Sequence, residues 1–413
     1  MFFLYDVFIF LMVFLMKILS HFNEKMRKGV EGRKEALSRV QQNFSTKDKV
    51  IWMHAASLGE YEQGLPVLEK LKIQRPDCKI LITFFSPSGY EHVVKRKHIA
   101  DVICYLPFDQ KGAIRDFVNS FQPVVFFTVK YDFWYRLLET LKRKKIPVYV
   151  VSALFYQRQI FFSAKGKFFV NQLKKNIDLF FHQTTDSLKK AQSIGLYNSL
   201  YTGDTRFERV KSNVQNFSKI PWIQDFVCGK PVVVVGSSWE TEETLVEKLL
   251  TACTSVKVIL APHDIKRAPH IQKHFQDKAL RYSQLEEYWT SVQDYPILII
   301  DNIGMLSRLY YYADIAVVGG GFHSAGLHNI LEAAGFAIPV VFGNHYRKNP
   351  EADALIRAAA AKSFADAEQA ALFIQRLLED GGLRKKMALQ AKVFIEEQPK
   401  ATVAILREMQ LLD

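Results

Sequence analysis

Residues 315–332 read Ile-Ala-Val-Val-Gly-Gly-Gly-Phe-His-Ser-Ala-Gly-Leu-His-Asn-Ile-Leu-Glu. The apolar run Ile315–Val318 is typical of a buried strand, and the glycines after it predict a turn that opens a helix near His328. Glycines let a backbone approach a ligand closely, and the start of a helix presents free N–H groups to an anion. We therefore expect an α/β fold in which buried strands lead into ligand-binding loops.

Asn329 and Glu332 stand three residues apart, which places them on one face of the predicted helix. An amide and a carboxylate beside a phosphate-binding turn suit a nucleotide sugar, with its phosphate on the loop and its ribose hydroxyls on the carboxylate. An ordinary strand-to-helix turn, with Glu332 as a helix-start charge, is the alternative on residue types alone, because glycine-rich turns are common.

Short apolar runs alternate with amphipathic segments along the rest of the chain. This alternation predicts parallel sheets covered by helices on both faces. Helices are expected at Tyr61–Ile73, Asp132–Lys144 and Leu383–Met409. Strands are expected at Val50–His54, Lys79–Phe84, Val102–Tyr105, Val124–Val129, Val148–Ser152, Pro231–Gly236, Val256–Ala261, Pro296–Ile300, Ile315–Val318 and Pro339–Phe342.

The alternation pauses near residues 201–219, so two doubly wound, Rossmann-like domains are the expected organisation. We predict a membrane anchor over residues 1–22, a first Rossmann-like domain over 23–210 and a second over 211–390. A C-terminal helix over 391–413 is expected to pack back on the first domain. Ligands are then expected in an interdomain cleft, at the carboxyl ends of the strands.

The N-terminal segment Phe2–Ser20 carries only two charges, Asp6 and Lys17, and is long enough to cross a bilayer as a helix. Basic residues follow it between Lys25 and Lys34, so the positive-inside rule predicts that the bulk of the chain stays in the cytoplasm. A spanning or interfacial anchor is the favoured interpretation. A cleaved signal peptide and a purely structural helix are the alternatives, although no basic segment precedes the apolar run.

The chain has 413 residues and a formal net charge of +13, which favours anionic partners: nucleic acid, an acidic membrane surface or a phosphorylated substrate. Its four cysteines are far apart in sequence and predict buried thiols in a reducing compartment. His263, His270 and His274 lack a cysteine partner and the His-Glu-x-x-His pattern, so no metal site is expected.

The segment Trp52–Glu60 ends a predicted strand and begins a helix with Ser57 and Glu60. Ser-x-x-Glu is the pattern of a capping box, in which the two side chains satisfy backbone donors at the helix start. The functional alternative is a carboxylate that takes a proton from an acceptor hydroxyl. Residue types alone favour the capping interpretation.

Two further loops follow predicted strands in the second half. Gly236-Ser237-Ser238 precedes an acidic helix start, and its hydroxyls and N–H groups suit a phosphate, although an N-cap is an equal alternative. His263, Lys266 and Arg267 place cations at a strand end, where they can meet a phosphate or line a solvated turn. The basic run 142–145 and the cluster Arg158, Lys165 and Lys167 form either a solvated face or a contact with acidic lipid.

Taken together, these motifs resemble those of the 3-deoxy-D-manno-oct-2-ulosonic acid (Kdo) transferases of lipopolysaccharide assembly. The family's His-Ala-x-Ser-x-Gly-Glu signature is matched by His54–Glu60, and its Gly-Ser-[Ser/Thr] loop with a following Glu-Glu by Gly236–Ser238 and Glu242-Glu243. Its Gly-Gly…His-Asn-x-Leu-Glu signature is matched between Gly319 and Glu332, and Asn349-Pro-Glu351 is similar to its downstream Asn-x-x-Glu element.

The resemblance implies a metal-independent, inverting GT-B glycosyltransferase that needs no cofactor and uses CMP-Kdo as its co-substrate. Its partners would be a lipid A precursor and the inner membrane surface, on the cytoplasmic side, and not nucleic acid. Glu60 and Asp132 are then expected to be catalytic. Acceptor contacts are expected from Ser57, Gly59, Ser88 and Arg158, and donor contacts from Ser237, Ser238, His263, Lys266, Gly319, Gly320, Asn329, Glu332 and Asn349.

The chain departs from the family pattern at two places. Many members have Glu-Thr-Glu-x-Trp-Pro where this chain has the segment 130–135, so Lys130 replaces the first acid and only Asp132 can inherit an acidic role. Many members have Pro-Arg-His-Pro-Glu-Arg where this chain has residues 262–267, so His263 replaces an arginine. A GT-B transferase with a UDP-sugar donor, a sugar-nucleotide 2-epimerase and a catalytically silent nucleotide-binding scaffold are the alternative functions.

Overall fold

The structure is a computed structural model that describes residues 2–324, 326–347 and 349–410. The chain divides into two compact units: one contains the residues up to Glu208 and those from Pro399 onward, and the other is Arg209–Gln398. Each unit is built on a seven-stranded sheet in which all paired strands run parallel. The predicted doubly wound α/β fold is therefore confirmed.

The first unit places its strands in the order β3-β2-β1-β4-β5-β6-β7, where they are, in chain order, Lys49–Ala55, Lys79–Phe84, Val102–Tyr105, Gln122–Val129, Val148–Ala153, Leu179–His182 and Ser199–Tyr201. Its helices are α1 (Phe2–Leu19), α2 (Glu24–Lys34), α3 (Ala36–Asn43), α4 (Leu58–Gln74), α5 (Pro87–Val93), α6 (Lys111–Val118), α7 (Tyr135–Arg143), α8 (Lys167–Asn176) and α9 (Thr185–Ser193). Two short 3-10 helices cover Ile160–Phe162 and Ala164–Gly166. Helix α10 (Arg206–Gln215) contains the boundary between the units.

The second unit places its strands in the order β10-β11-β9-β8-β12-β13-β14, where they are, in chain order, Val232–Ser238, Lys257–Pro262, Ala279–Arg281, Ile297–Ile299, Ile315–Val318, Val340–Gly343 and Ala361–Phe364. Its helices are α11 (Ile223–Val227), α12 (Glu240–Ala252), α13 (Ala268–Phe275), α14 (Leu306–Leu309), α15 (Leu331–Gly335), α16 (Pro350–Arg357), α17 (Ala367–Glu379) and α18 (Gly381–Glu396). The 3-10 helices of this unit are Ile265–Arg267, Gln276–Lys278, Tyr282–Gln284, Val292–Asp294 and Tyr310–Tyr312.

The strands read as continuous apolar runs because both faces of each sheet are covered. On β1, successive side chains point to opposite faces. Trp52 packs with Phe126 in the core on one face, while Met53 packs with Phe127 in the core on the other. All four of these side chains are essentially fully buried, and each contributes roughly 1.5–3 kcal/mol by burial.

Each sheet has a switch point between two neighbouring central strands whose connections lead to opposite sides of the sheet. In the first unit this switch point lies between β1 and β4, and in the second it lies between β8 and β12. Loops that leave the carboxyl ends of such strands diverge to opposite faces of the sheet and leave a crevice, which is where α/β proteins bind ligands. The sequence motifs around residues 54–60 and 319–332 follow β1 and β12, so each lies at a switch point.

The C-terminal segment corrects one expectation. Leu383–Met409 was expected as a single helix, but α18 ends at Glu396 and α19 begins at Ala401 (Ala401–Gln410). Pro399 lies in the break, and a proline cannot continue the backbone hydrogen bonding of a helix. Helix α19 belongs to the first unit, where Ile405 and Leu406 are buried in the core beside α4.

Helix α1 rests on the first unit along one stripe. Tyr5, Ile9 and Val13 recur every four residues and are buried against its core. The Tyr5 hydroxyl donates to Asp109 Oδ2 at 2.6 Å, and the Arg136 guanidinium donates through Nε to Asp6 Oδ1 at 2.8 Å. Within the described residues, α1 is the one helix that is long and apolar enough to cross a membrane, and only 11% of that window is buried.

His182, at the end of β6, is fully buried between two serine hydroxyls, with Nδ1 2.8 Å from Ser187 Oγ and Nε2 3.2 Å from Ser199 Oγ. Burial lowers the pKa of His182 to about 4. An unfolded histidine titrates near 6.5, so the unfolded chain binds the extra proton between those two values. We therefore expect His182 to lower the free energy of unfolding of the first unit by about 2 kcal/mol when the pH is decreased from 7 to 5.

The measurement is urea unfolding of the wild type and a His182→Gln variant at both pH values. The variant should lose stability at pH 7 and show a correspondingly smaller acid-induced decrease. Equal decreases in the two proteins would contradict the assignment of this pH dependence to His182.

Candidate active site

A buried hydrogen-bond chain runs across the switch point of the first unit. The Trp52 indole N–H donates to Thr83 Oγ1 at 2.9 Å, and Thr83 Oγ1 lies 2.9 Å from Nδ1 of His54. His54 is fully buried at the end of β1, and its Nε2 lies 2.7 Å from Asp132 Oδ2. Because the Thr83 hydroxyl accepts from the indole, its own proton can be donated to Nδ1, which leaves Nε2–H to donate to Asp132. The Trp134 indole N–H, 3.3 Å away, is a second donor to the same oxygen.

Glu60 stands in the first turn of α4 with both carboxylate oxygens occupied. The Ser57 hydroxyl donates to Oε2, and the Lys130 ammonium lies 3.2 Å from Oε1. Ser57 is the N-cap residue of α4, but its side chain makes no capping hydrogen bond to the backbone. The favoured capping-box interpretation was therefore wrong: the side chains of Ser57 and Glu60 bond to each other instead of to backbone N–H groups.

Lys130 reaches Glu60 from the loop after β4. It adopts a positive φ of 63°, which is uncommon for a residue with a side chain. Two residues later the same loop presents Asp132 to His54. The residue that departs from the family pattern is thus the ion-pair partner of the predicted base.

The predicted acceptor residues lie at the starts of helices α4 and α5 and in the loop after β5 of the first unit. Gly59 and Ser88 are exposed, and the backbone N–H of Ser86 donates to Ala56 O at 2.9 Å, which ties the loop after β2 to the loop after β1. Arg158 is exposed in the loop after β5. In the same loop, Tyr156 packs its ring 5.9 Å from that of Tyr131, beside Lys130.

In the second unit, one buried carboxylate joins the loops after β8 and β12. Glu242 is fully buried, its Oε2 accepts from the Trp239 N–H at 2.9 Å, and its Oε1 accepts from the Gly320 N–H at 3.0 Å. Burial raises the pKa of Glu242, and the backbone donors oppose that shift. The motif residues Gly236–Ser238 and Gly319–Gly320 are thus held together at the switch point.

Glycine is required where these loops meet. A Cβ at Gly319 would lie 2.1 Å from the carbonyl oxygen of Ser237, and Gly320 has a φ of 85°. Ser238 is fully buried, and its hydroxyl has no hydrogen-bond partner in the described structure. A buried hydroxyl without a partner is costly, so this oxygen marks a place where a polar ligand would be stabilised.

The amide and carboxylate of the opening motif do meet, but not on a helix face. Helix α15 begins at Leu331, so His328 and Asn329 lie in the preceding loop, contrary to expectation. Asn329 Nδ2 donates to Glu332 Oε1 at 3.0 Å, and its Oδ1 accepts from the Leu331 N–H at 3.2 Å. The asparagine side chain thus bonds both to the first turn of the helix and to the carboxylate on it.

The remaining predicted donor residues follow β9 and β13. His263 is exposed after β9, and its backbone N–H donates to Ser238 O at 3.0 Å, which joins it to the switch point. Lys266 is also exposed, and its backbone N–H donates to Asp264 Oδ1. Asn349 is the N-cap residue of α16, and its amide lies 3.4 Å from Glu351 Oε1.

Sequence reasoning missed three residues of these sites. His54 belongs to the quoted signature, but nothing in its spacing indicated a bond to Asp132, 78 residues away. Glu242 reads as a helix-start acid, and its role in joining two loops depends on a contact with Gly320. His323 contacts Trp239 through its ring, and only the fold brings those two positions together.

Two doubly wound units, each with loops at a switch point, are the architecture of the GT-B fold. Comparable solved structures include UDP-GlcNAc 2-epimerase from Neisseria meningitidis bound to UDP-GlcNAc, with a TM-score of 0.61 and 16% identity over 88% of this chain and 99% of that one. A glycosyltransferase from Rickettsia africae gives a TM-score of 0.54 at 13% identity, over 89% of this chain and 98% of that one. These likenesses show the fold.

The sequence comparisons show similarity to one group of enzymes. Residues 31–209 match the family model described as 3-deoxy-D-manno-octulosonic-acid transferase (kdotransferase). A 3-deoxy-D-manno-octulosonic acid transferase of Aquifex aeolicus is 28% identical over 76% of this chain and 82% of its own length. That of Haemophilus influenzae is 26% identical over 73% of this chain and 72% of its own length. This chain is therefore similar to Kdo transferases over about three quarters of its length.

We expect Glu242→Gln to destabilise the second unit by about 1–3 kcal/mol, because one amide group cannot accept from both the Trp239 and Gly320 N–H groups. Urea unfolding gives the measurement, with Glu240→Gln as the matched control on the same helix. Glu240 is largely exposed and pairs only with Arg267, so its replacement should change stability by less than about 1 kcal/mol. Equal losses would show that the bridging carboxylate has no special role.

Proposed function

We propose that this chain transfers Kdo from CMP-Kdo to a hydroxyl group of a lipid A precursor, with inversion at the anomeric carbon. The observation that carries the proposal is the position of the family's signature residues. Those of the first unit lie at the β1/β4 switch point and those of the second at the β8/β12 switch point, the places where parallel sheets bind ligands.

Glu60 is the proposed general base. The acceptor hydroxyl gives its proton to the carboxylate while its oxygen forms a bond to the anomeric carbon, and the bond from that carbon to the phosphate oxygen of CMP breaks. CMP leaves with the bonding electrons. Ser57 and Lys130 hold the carboxylate from two sides and fix the direction in which it meets the acceptor.

The proposed donor site is in the second unit. The buried Ser238 hydroxyl and the N–H groups of the glycine turn suit the phosphate, and the paired Asn329 and Glu332 side chains suit the ribose hydroxyls. Neutral and cationic donors of this kind stabilise the charge that develops on departing CMP. His263 is proposed to take the place of the family's arginine.

The proposed location is the cytoplasmic face of the inner membrane. Helix α1 buries one stripe on the first unit and exposes a broad apolar face that includes Phe3, Phe10 and Phe14. A helix fixed along a domain by an ion pair and a buried hydroxyl is suited to lie in the interface and not to cross the bilayer. We therefore favour peripheral attachment over a single pass.

The direct test of the reaction incubates the full chain with CMP-Kdo and a lipid A precursor and measures the lipid by mass spectrometry. An increase by one or more Kdo residues supports the proposal and gives the number added. A UDP-sugar enzyme or an epimerase would leave the lipid mass unchanged and would bind UDP in preference to CMP in a competition assay. A silent scaffold would bind CMP and form no product.

Replacement of Glu60 by glutamine should lower kcat by about 10²- to 10⁴-fold, because the amide cannot accept the acceptor proton. Binding of CMP should be unchanged, since the donor residues lie in the other unit. Glu62→Gln, on the same helix, removes the same charge and is the matched control. Wild-type turnover by a folded Glu60→Gln protein would exclude Glu60 as the base.

A Phe10→Asp, Phe14→Asp double variant should bind vesicles of anionic phospholipid at least tenfold more weakly, because each buried phenylalanine contributes roughly 1.5–3 kcal/mol. Both side chains are more than half exposed, so the unfolding transition should not change. Co-sedimentation with vesicles is the measurement. Wild-type binding by the variant would contradict the proposed membrane face of α1.

A further inference from the structure

Four aromatic rings from three loops meet at the β8/β12 switch point. Trp239 follows β8, His263 follows β9, and His323 and His328 follow β12. The Trp239 and His263 rings stack, with their centroids 4.7 Å apart and an interplanar angle of 17°. His263 lies 4.7 Å from His328, and Trp239 lies 4.5 Å from His323. We call the three histidines the imidazole cluster.

Two members of the cluster are bonded through their backbones to the segments that carry the buried Ser238 hydroxyl and the glycine turn. The backbone N–H of His263 donates to Ser238 O at 3.0 Å, and the backbone N–H of His328 donates to Gly319 O at 3.2 Å. His263 is also the exposed member, so its ring is accessible from solvent. The loop that carries this accessible imidazole is therefore joined directly to the strand end at which an anion would bind.

Neighbouring imidazoles disfavour the protonation of His263 and of His328. Burial is the main cause that lowers the pKa of His263, with Asp264 opposing the shift and His323 adding to it. Burial, His263 and His323 together lower the pKa of His328 to about 4. The rings of His263 and His328 consequently favour the neutral form, and a nearby dianion would oppose that preference at the accessible ring of His263.

The other charged groups around the cluster are largely neutralised by each other. On α12, Glu240 and Glu243 pair with Arg267 at 3.0 and 2.9 Å. Glu242 accepts from two backbone N–H groups, and Glu332, after β12, accepts from Asn329. Lys266 and Asp264 lie exposed on the loop that carries His263. Of the titratable groups nearest to Ser238, the imidazole of His263 is thus the one suited to gain a proton when an anion binds.

We propose that binding of the nucleotide phosphate in the second unit takes up a proton from solvent onto the imidazole cluster, chiefly onto His263. An imidazole nitrogen gains the proton, no covalent bond to carbon or phosphorus changes, and the imidazolium pairs with the phosphate. Affinity for the nucleotide then rises as pH falls from 8 to 6. This inference rests on the proposed function, because it assumes that a cytidine nucleotide binds here.

The experiment is titration calorimetry of CMP into the full chain in detergent, at pH 6, 7 and 8. Two buffers of different ionisation enthalpy at pH 7 give the number of protons taken up. His263→Arg is the matched variant, since it supplies a positive charge that does not titrate. The phosphate of CMP itself titrates near pH 6 and contributes the same pH dependence to both proteins. Between pH 8 and pH 6, the affinity of the wild type for CMP should increase by a factor at least about fivefold larger than that of the variant. Uptake of one coupled proton can raise the affinity by at most about tenfold per pH unit.

Three outcomes are decisive. Proton uptake by the wild type that is reduced in His263→Arg supports the inference. CMP binding with equal proton uptake in both proteins overturns it and leaves the proposed function intact. No binding of CMP at any pH overturns both.

A His323→Phe variant retains the ring contact with Trp239 and removes a neighbouring imidazole, so its proton uptake on CMP binding should persist to higher pH. An unshifted profile there would exclude coupling within the cluster.

Discussion

The close approach of backbone segments at the second switch point is the constraint on which the proposed donor site depends. A Cβ at Gly319 would lie 2.1 Å from Ser237 O, and one at Gly343 would lie 2.1 Å from the carbonyl carbon of Gly321. With only hydrogen at these positions, the loops after β8, β12 and β13 can touch. Glu242 then bonds to two of them at once, and the rings of Trp239 and His328 are carried into one cluster.

In the first unit, the site depends on carboxylates that are held in fixed directions at the carboxyl end of the sheet. Lys130 adopts a left-handed backbone conformation that costs of order 1–3 kcal/mol, and such strain is concentrated at functional sites. The same short loop supplies an ammonium group to Glu60 and the Asp132 carboxylate to His54. The lysine that breaks the family pattern is thus integrated in the site.

Much of the fold was predictable because central parallel strands are buried on both faces and read as apolar runs. Val102–Tyr105 and Ile315–Val318 match the observed strands residue for residue. Ser199–Tyr201 and Ala361–Phe364 were missed because they are sheet edges of three and four residues, and each includes exposed positions. The edge of a sheet lacks the second covered face that creates the apolar signal.

The candidate sites were predictable as motifs and not as contacts. Ser57 and Glu60 have the residue types of a capping box, and only Lys130, 70 positions further along, shows that the carboxylate faces elsewhere. Likewise, the spacing of the glycine motif suggested a helix at His328, although the turn continues to Ile330. Pairings between distant loops are set by the register of the sheet, and a linear pattern does not encode them.

The return of α19 to the first unit has a consequence for biosynthesis. Ile405, Leu406 and Met409 fill the core beside Leu65 and Leu68, and the Thr402 N–H donates to Glu208 Oε1 at 2.5 Å. A ribosome that has completed residues up to Glu208 has therefore not yet made the last layer of that core. The nascent first unit therefore keeps apolar core surface exposed while the whole second unit is translated. The unit that is synthesised second can thus finish folding before the one that is synthesised first.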